Sequence, residues 1–429
     1  MAKTTDIRLQ NQVIYSIYVR SHTDEGTFLS VIPDLDRIKA LGTDIIWFMP
    51  IHPIGVEGKK GSLGCPYANK DYRTTNPAYG TMEEFEKLVE EIHQRGMKVM
   101  IDVVYNHTSP DSTLVKEHPE YFYHDKNGKL GNKLGDWSDV VDLDYENKEL
   151  WEYQIESLKM WAKIVDGFRC DVASFVPLDF WKEARESVAR VNPDCIWLAE
   201  TVHISYGNLA RRNHVYSEHD FCMYEAFDIE YEYDIREEFE RYLRGEIKLS
   251  CYMNLLNFQE AMYPANYNKL RYLENHDTPR IAESIKKESD LKNYLAMMFF
   301  IKGTTLLYAG EEFADEHWPS LFEREVIHRD TGRNFSDWIA TLSEIKHKKL
   351  GADDYFLAKA EDDADIAILE RGNADGKKMG IFSLKSKKAE VSVEAKDGSY
   401  TNLLDGSEIC VKDGKVKVNG KPMIWTMNE

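Results

Sequence analysis

Four segments of the sequence place acidic, basic and histidine side chains directly after a short apolar run. They are residues 102–107 (DVVYNH), 167–171 (GFRCD), 198–201 (LAET) and 273–277 (LENHD). A single polar residue at the end of a strand is more often a helix cap or a hydrogen-bonding group than a catalyst. Four titratable clusters in corresponding positions are harder to explain structurally, and they predict a shared functional site.

The residue types in these segments suit glycoside hydrolysis, which needs two carboxylates flanking one bond. Arg169 and Asp171 are two positions apart on a predicted strand, so their side chains point to the same side. The Arg169 charge would keep Asp171 ionised, as a nucleophile requires. Glu200 could act as an acid if a partly desolvated site near Asp277 raised its pKa. No His-x-x-x-His pair occurs, which argues against a zinc hydrolase.

The chain around these segments alternates short apolar runs with stretches of helical periodicity. This alternation predicts a (β/α)8 TIM barrel, whose active site gathers at the carboxyl ends of its strands. A doubly wound sheet is the alternative, but the chain has no glycine-rich phosphate loop to support it. The predicted strands are 13–18, 44–48, 98–103, 164–169, 195–199, 222–227, 270–273 and 305–309. The predicted helices are 29–40, 82–95, 148–162, 178–189, 235–244, 291–301 and 338–348.

Two stretches depart from this alternation. Residues 105–144 are rich in Pro, Gly and charged residues, and they predict a small domain inserted after the third strand. Residues 351–429 carry short apolar runs between Gly, Asp and Asn turns, which predicts a C-terminal antiparallel β-sandwich domain. The barrel is therefore expected to comprise residues 1–104 and 145–350.

The four segments together resemble the four signature regions of the α-amylase family, glycoside hydrolase family 13. Their order and spacing agree over about residues 10–350, and the insert then resembles a short form of the family's domain B. The resemblance implies Asp171 as nucleophile, Glu200 as acid/base and Asp277 as stabiliser of the transition state. It also implies sugar contacts from four further side chains, namely Tyr67, His107, Arg169 and His276.

This resemblance predicts a retaining α-glucan hydrolase acting on α-1,4 bonds of starch-like polymers or malto-oligosaccharides. Two alternatives stay open: a glucanotransferase that shares the covalent intermediate, and a catalytically inactive binding or scaffold relative. The intact set of Asp171, Glu200 and Asp277 argues against the inactive relative. The short insert predicts an open cleft, which favours soluble oligosaccharides over a strict exo pocket.

Calcium is the one cofactor that the resemblance raises, and none is expected to be required. Ser174 and Phe175 stand where many α-amylases carry Lys-His, which serves a leaving-side sugar and, through the backbone, a calcium ion. A calcium site between insert and barrel would use Asn106 and a carboxylate of the insert. The candidates are Asp125, Asp136 and Asp139. We expect Asn106 to hydrogen-bond the neighbouring loop instead, so no metal ligand is assigned.

Composition excludes several other function classes. There are 54 Lys and Arg against 74 Asp and Glu, and the net charge of −20 disfavours nucleic acid and anionic membranes as partners. No apolar stretch approaches the ~20 residues of a membrane span. The six cysteines are scattered without a CxxC pair, and the first residues show no apolar leader. These features predict reduced thiols and a cytoplasmic location, and no oligomeric state is predicted.

Overall fold

A closed barrel of eight parallel strands forms the centre of the protein, in a computed structural model that describes residues 5–134 and 137–427. The first ten strands are β1 (Val13–Ile17), β2 (Ile45–Phe48), β3 (Lys98–Val103), β4 (His107–Thr108), β5 (Val141–Asp142), β6 (Gly167–Cys170), β7 (Ile196–Ala199), β8 (Ile229–Tyr231), β9 (Lys269–Arg271) and β10 (Thr304–Tyr308). Around the barrel the order is β1-β10-β9-β8-β7-β6-β3-β2. The predicted (β/α)8 barrel is thereby confirmed.

Helices surround the barrel and connect its strands. Helix α4 (Met82–Gln94) shows how such a helix begins. The Thr81 hydroxyl accepts a hydrogen bond from the Glu84 backbone N–H, and the Glu84 carboxylate accepts one from the Thr81 backbone N–H. This capping box fixes the start of the helix, and Phe85, Leu88 and Ile92 bury its apolar face. The helices are α1 (Val19–His22), α2 (Phe28–Val31), α3 (Leu35–Ala40), α4 (Met82–Gln94), α5 (Thr113–Glu117), α6 (Lys148–Trp161), α7 (Leu178–Val188), α8 (Ile204–Arg212), α9 (Asp220–Met223), α10 (Tyr233–Leu243), α11 (Leu249–Met262), α12 (Ile281–Ser284), α13 (Glu288–Phe300) and α14 (Ser336–Lys349).

The predicted sixth strand, 222–227, is wrong. That stretch forms the end of the short helix α9 and a turn, and the barrel strand is β8, from Ile229 to Tyr231. The apolar run at 222–227 misled the prediction because the true strand, β8, contains a charged residue and so is not an apolar run itself. Glu230 lies on the outer face of β8, with its carboxylate 3.2 Å from the Lys269 ammonium. The prediction also lacked six helices, namely α1, α5, α8, α9, α11 and α12.

Two layers of side chains fill the interior of the barrel, one apolar and one charged. Trp47, Leu198 and Tyr231 point inward and form a buried apolar layer. Asp102 and Arg169 are register partners on the neighbouring strands β3 and β6, and the Arg169 guanidinium carbon lies 5.2 Å from the centre of the Trp47 ring and 5.4 Å from that of Tyr231. The charged layer therefore rests directly on aromatic faces.

The insert (residues 105–144) contains its own short sheet and is attached to the barrel through Tyr72. Strands β4 and β5 pair antiparallel, with His107 opposite Asp142. The Tyr72 hydroxyl donates to the backbone oxygens of Val104 and His107, at 2.8 and 3.1 Å. These two hydrogen bonds of Tyr72 hold the first residues of the insert at the carboxyl end of β3.

The C-terminal residues form two four-stranded antiparallel sheets, as predicted for this region. The Asn257 side chain on α11 exchanges two hydrogen bonds of 2.8 Å with the backbone of Ala358, so the first of these sheets packs on the barrel. The sheet orders are β11-β12-β13-β18 and β14-β17-β16-β15. The strands are β11 (Tyr355–Glu361), β12 (Ile366–Asn373), β13 (Gly376–Ser383), β14 (Ala389–Ser392), β15 (Gly398–Thr401), β16 (Glu408–Lys412), β17 (Lys415–Val418) and β18 (Met423–Met427).

Among the described residues, no helix combines the length and the apolar character that crossing a membrane requires.

Candidate active site

The four segments singled out in the sequence meet at the carboxyl ends of the barrel strands. Asp171 directly follows β6 and Glu200 directly follows β7. Asp277 lies in the loop after β9. The side chains of Asp171 and Glu200 are 9% and 8% exposed, whereas that of Asp277 is 41% exposed. Two nearly buried carboxylates and one accessible carboxylate therefore share one rim.

The Arg169 guanidinium connects the buried carboxylates. Its Nη1 donates to Asp171 Oδ1 at 2.9 Å and to Asp102 Oδ1 at 2.8 Å. Its Nη2 lies 2.9 Å from Glu200 Oε2. Because Arg169 is fully buried, it holds Asp171 and Glu200 on adjacent nitrogens of one planar group. The structure thus places Arg169 beneath both residues rather than at the open face of the cleft.

A strained residue orients Glu200. Val172, the residue after Asp171, has φ 34° and ψ 45°, a left-handed conformation that is rare for a β-branched side chain. In this conformation its backbone N–H donates to Glu200 Oε2 at 2.8 Å. Backbone strain of this kind persists where the surroundings fix it, and here it fixes one carboxylate oxygen of Glu200.

Tyr67, His276 and Asp277 form the opposite wall. The Tyr67 and His276 rings stack with centroids 5.4 Å apart. The Tyr67 hydroxyl donates to Asp102 Oδ2 at 2.9 Å and lies 2.8 Å from His276 Nε2. That nitrogen is also 3.1 Å from Asp277 Oδ2. A flat stacked surface beside an exposed carboxylate is suited to a sugar ring and its hydroxyls.

His107 completes the floor of the site, with Nε2 4.0 Å from Asp171 Oδ2. All seven predicted site residues therefore lie together, and six of them line a cleft of about 380 Å3, Arg169 lying beneath it. Sequence reasoning missed several other lining residues, because their spacing carries no signal. They include Lys60, Trp137, Asp139, His203, Tyr206, Tyr233, Leu321 and Phe322. Asp102 stood in the first segment but was given no role.

The electrostatics separate the two buried carboxylates. Burial raises the pKa of Asp171, the Arg169 charge opposes this, and the resulting pKa is about 6. Burial also raises the pKa of Glu200, to about 8, with Arg169 opposing and the Asp171 charge reinforcing the rise. Burial would raise the pKa of Asp277 as well, but the neighbouring His276 outweighs it and lowers that pKa. At neutral pH Asp171 and Asp277 are therefore ionised, whereas Glu200 is protonated.

We expect a bell-shaped pH dependence of kcat/KM. Activity requires ionised Asp171, so it rises as the pH increases through about 6. It requires protonated Glu200, so it falls as the pH increases through about 8. The two apparent values belong to the coupled carboxylates as a group. The measurement is kcat/KM on maltoheptaose, whose poor leaving group needs the proton, from about pH 4 to about pH 10, and activity that is still rising at the alkaline end would contradict the assignment of Glu200.

The residues at the proposed calcium position do not fit that ion. Asn106 Nδ2 lies 3.1 Å from His107 Nδ1, and Asp142 Oδ2 accepts the backbone N–H of Lys133 at 2.7 Å. The Lys133 ammonium donates to the Leu143 oxygen at 3.2 Å. The space that Asn106, Lys133 and Asp142 line measures about 20 Å3. Calcium takes six to eight oxygens, and a lysine beside a single lining carboxylate does not provide them.

The three carboxylates considered earlier do not change this conclusion. Asp125 accepts backbone N–H groups of its own turn, and Asp139 lies 2.9 Å from the Lys60 ammonium. Asp136 lies outside the described residues. Within the described part of the chain, no group of three or more His, Cys, Asp and Glu side chains could hold a metal ion.

Comparison with known protein families gives two matches. A model described as "Alpha amylase, catalytic domain" matches residues 11–139 and 133–353. A model described as "Bacterial Alpha amylase C-terminal domain" matches residues 358–425. The two matches together span nearly the whole chain.

Similar solved structures and protein relatives agree with the two family matches. The crystal structure of an alpha-amylase from Lactobacillus plantarum is 44% identical, with a TM-score of 0.94 over 98% of this chain and 100% of that one. A noncanonic maltogenic alpha-amylase from Thermotoga neapolitana is 33% identical, with a TM-score of 0.87 over 98% and 100% of the two chains. An alpha-amylase from Haloarcula japonica is 26% identical over 94% of this chain, which spans 62% of that relative's length.

Proposed function

Because the chain belongs to the alpha-amylase family of glycoside hydrolases, family 13, we propose that it hydrolyses α-1,4-glucosidic bonds of malto-oligosaccharides and starch-like glucans with retention of configuration. The observation that carries this proposal is the single guanidinium of Arg169, whose two terminal nitrogens each lie 2.9 Å from a carboxylate oxygen, one of Asp171 and one of Glu200. Retaining glycosidases need two carboxyl groups about 5–5.5 Å apart, with one ionised and one protonated. The shared Arg169 guanidinium places the Asp171 and Glu200 carboxyl groups side by side, as that chemistry requires.

The proposed reaction proceeds in two steps. The Asp171 carboxylate attacks the anomeric carbon while Glu200 gives its proton to the leaving oxygen, so the glycosidic bond breaks as the ester bond forms. Glu200 then takes a proton from water, whose oxygen attacks the same carbon and releases Asp171. Asp277 and His276 hold hydroxyl groups of the sugar, and the Tyr67 ring stacks on its face.

Product analysis tests this function. Maltoheptaose incubated with the enzyme should yield shorter malto-oligosaccharides, and NMR of the first products should show the α-anomer before mutarotation. Early appearance of the β-anomer would contradict a retaining mechanism. No consumption of maltoheptaose or of a chromogenic maltoside would instead support an inactive relative.

A glucanotransferase is the second candidate, and one feature of the cleft favours it. Phe175, Trp137 and Tyr206 form an aromatic cluster, with Phe175 5.6 Å from Tyr206 and Trp137 5.9 Å from Tyr206 between ring centroids. Trp137 and Tyr206 line the cleft together with Glu200, and Phe175 is buried behind them. The leaving sugar departs, and an acceptor enters, on the side of Glu200. Aromatic faces can bind a sugar there. Products longer than maltoheptaose in the same time course would identify transfer.

We expect the enzyme to be independent of calcium. The Lys133 ammonium already places a positive charge against the Leu143 oxygen, next to Asn106 in the insert. Exhaustive chelation should therefore leave both Tm and kcat/KM unchanged, as measured by thermal melting and a maltoside assay with and without chelator. A fall in Tm of several degrees that calcium alone reverses would contradict this expectation.

A cytoplasmic location is part of the proposal and rests on the thiols. All six cysteines are free, and Cys251 and Cys410 are exposed. Exposed free thiols persist in a reducing compartment. Soluble malto-oligosaccharides would then be the natural substrates.

A further inference from the structure

One segment between β2 and Tyr67 crosses the edge of the cleft. We name residues 56–64 (VEGKKGSLG) the strap. One of its faces is fastened to the insert. The backbone N–H of Val56 donates to Asp111 Oδ1 at 3.1 Å. The Lys60 ammonium lies 2.9 Å from Asp139 Oδ1, and the Asp139 side chain is only 4% exposed.

The other face of the strap is fastened to the loop after β10. The backbone N–H of Leu63 donates to the Phe322 oxygen at 3.0 Å. The backbone N–H of Ser62 donates to Glu323 Oε1 at 2.7 Å. Because it bonds on both sides, the strap joins the insert to the loop after β10 in a continuous wall.

Gly61 allows the strap and the loop to touch. It adopts φ +63°, and a Cβ at this position would lie 2.6 Å from the Cβ of Phe322. A side chain would therefore force the two segments apart and would also strain the backbone. The approach at Gly61 shows that the wall has no gap at this point.

The chemistry of the site gives the cleft a direction. Glu200 protonates the leaving oxygen, so the leaving part of the glucan lies on the side of Glu200 and of Val202, His203 and Tyr206, which follow it. The cleaved sugar lies against the stack of Tyr67 and His276. The remainder of the chain, toward its non-reducing end, must extend past that stack.

The strap lies at this second end. Lys60 and Cys65 line the cleft next to Tyr67, together with Leu321 and Phe322 from the loop that the strap contacts. The short insert predicted an open cleft, but the strap adds a lining residue of its own, Lys60, at this end. The contacts of Lys60 with Asp139, of Leu63 with Phe322 and of Gly61 with Phe322 leave this wall unbroken from the insert to the loop after β10.

We propose that the strap closes the non-reducing end of the cleft, so that the enzyme removes short units from the non-reducing ends of α-glucans. This inference rests on the proposed function and specifies its substrate: a chain with a free non-reducing end. The terminal unit fills the closed end, and the rest of the chain leaves on the side of Glu200. Internal bonds of a long chain are then poor substrates, because the segment beyond the cleaved sugar has nowhere to go.

The test compares two forms of maltoheptaose, both labelled at the reducing end. One has a free non-reducing glucose, and the other carries a 4,6-O-benzylidene cap on that glucose. The wild-type enzyme should shorten the free form by one fixed short unit at a time. It should cleave the capped form at least about tenfold more slowly, because the cap cannot enter the closed end.

Gly61→Ala opens the wall by pushing the strap away from Phe322. We expect its rate on the capped form to rise about fivefold or more, with early products of mixed length. Gly128→Ala is the matched control: Gly128 has φ +74°, but a Cβ there would meet no atom within 4 Å. This control carries similar backbone strain, so it should retain the wild-type preference. Lys60→Met, which releases the strap from Asp139 without altering the backbone, provides a second opened variant if Gly61→Ala fails to fold.

The outcomes separate this inference from the function on which it rests. Failure to cleave the free form would overturn the proposed function itself. Equal wild-type rates on free and capped forms would show that the cleft is open and overturn the strap assignment alone. The wild-type enzyme could prefer the free form while Gly61→Ala and Lys60→Met both keep that preference. This result would also overturn the strap assignment, because another part of the cleft would then exclude the cap.

Discussion

Asp171→Asn should reduce kcat by about 10⁴-fold or more while the protein keeps its fold. The change replaces one oxygen by an amide nitrogen and adds almost no volume, but the amide cannot attack the anomeric carbon. Arg169 retains the Asp102 carboxylate as a partner at 2.8 Å, so its buried charge stays compensated. The measurements are kcat on maltoheptaose and thermal melting, and a variant that keeps more than about a tenth of the wild-type rate would exclude Asp171 as nucleophile.

Chemical rescue provides the control for this prediction. Asp171→Gly removes the carboxylate entirely and leaves a space beside the Arg169 guanidinium, where a small anion can bind. With added azide and an α-maltosyl fluoride, the anion should attack in place of Asp171, displace fluoride and form a β-maltosyl azide. If Asp171 only positioned other residues, added azide would give no maltosyl azide. Detection of the β-maltosyl azide by mass spectrometry and NMR therefore distinguishes a nucleophile from a structural carboxylate.

The sequence was informative where chemistry and secondary structure coincide. Asp171 and Glu200 each directly follow a short barrel strand, β6 and β7 respectively, and parallel barrel strands bring their carboxyl ends to one rim. The two-residue spacing of Arg169 and Asp171 also predicted their contact, which the structure places at 2.9 Å. These positions depend on local patterns, and a local pattern is what a single sequence contains.

Features that depend on tertiary packing were not predictable. Strand β8 was misplaced because its outward Glu230 makes sense only beside Lys269 of the next strand. The sequence also gave no indication that Val172 would adopt a left-handed conformation to reach Glu200. The strap is a polar, glycine-rich loop by composition, and its role emerges only from contacts with Asp139 and Phe322, which lie far away in the chain.

Glu200→Gln should separate substrates by their need for a proton. A malto-oligosaccharide has a poor leaving group, so loss of the acid should slow its cleavage by roughly 10³-fold or more. An α-maltosyl fluoride departs without protonation, and its first step should slow by less than about tenfold. Because Glu200 also activates the water of the second step, the glycosyl ester on Asp171 should accumulate. Rapid-quench mass spectrometry of the protein would detect this added mass.

Asp277→Asn is the matched comparison, since it removes a carboxylate of the same site that donates no proton. It should slow the fluoride and the oligosaccharide by similar factors, because both transition states carry the same charge on the sugar. The pH profile adds an independent criterion. The fall in activity above about pH 8 is assigned to Glu200. The rate at which Glu200→Gln releases fluoride in the first turnover should therefore show no alkaline fall. Asp277→Asn should still show the alkaline fall when it cleaves the oligosaccharide. Equal losses on both substrates in Glu200→Gln, with the alkaline fall unchanged, would assign the acid to another residue.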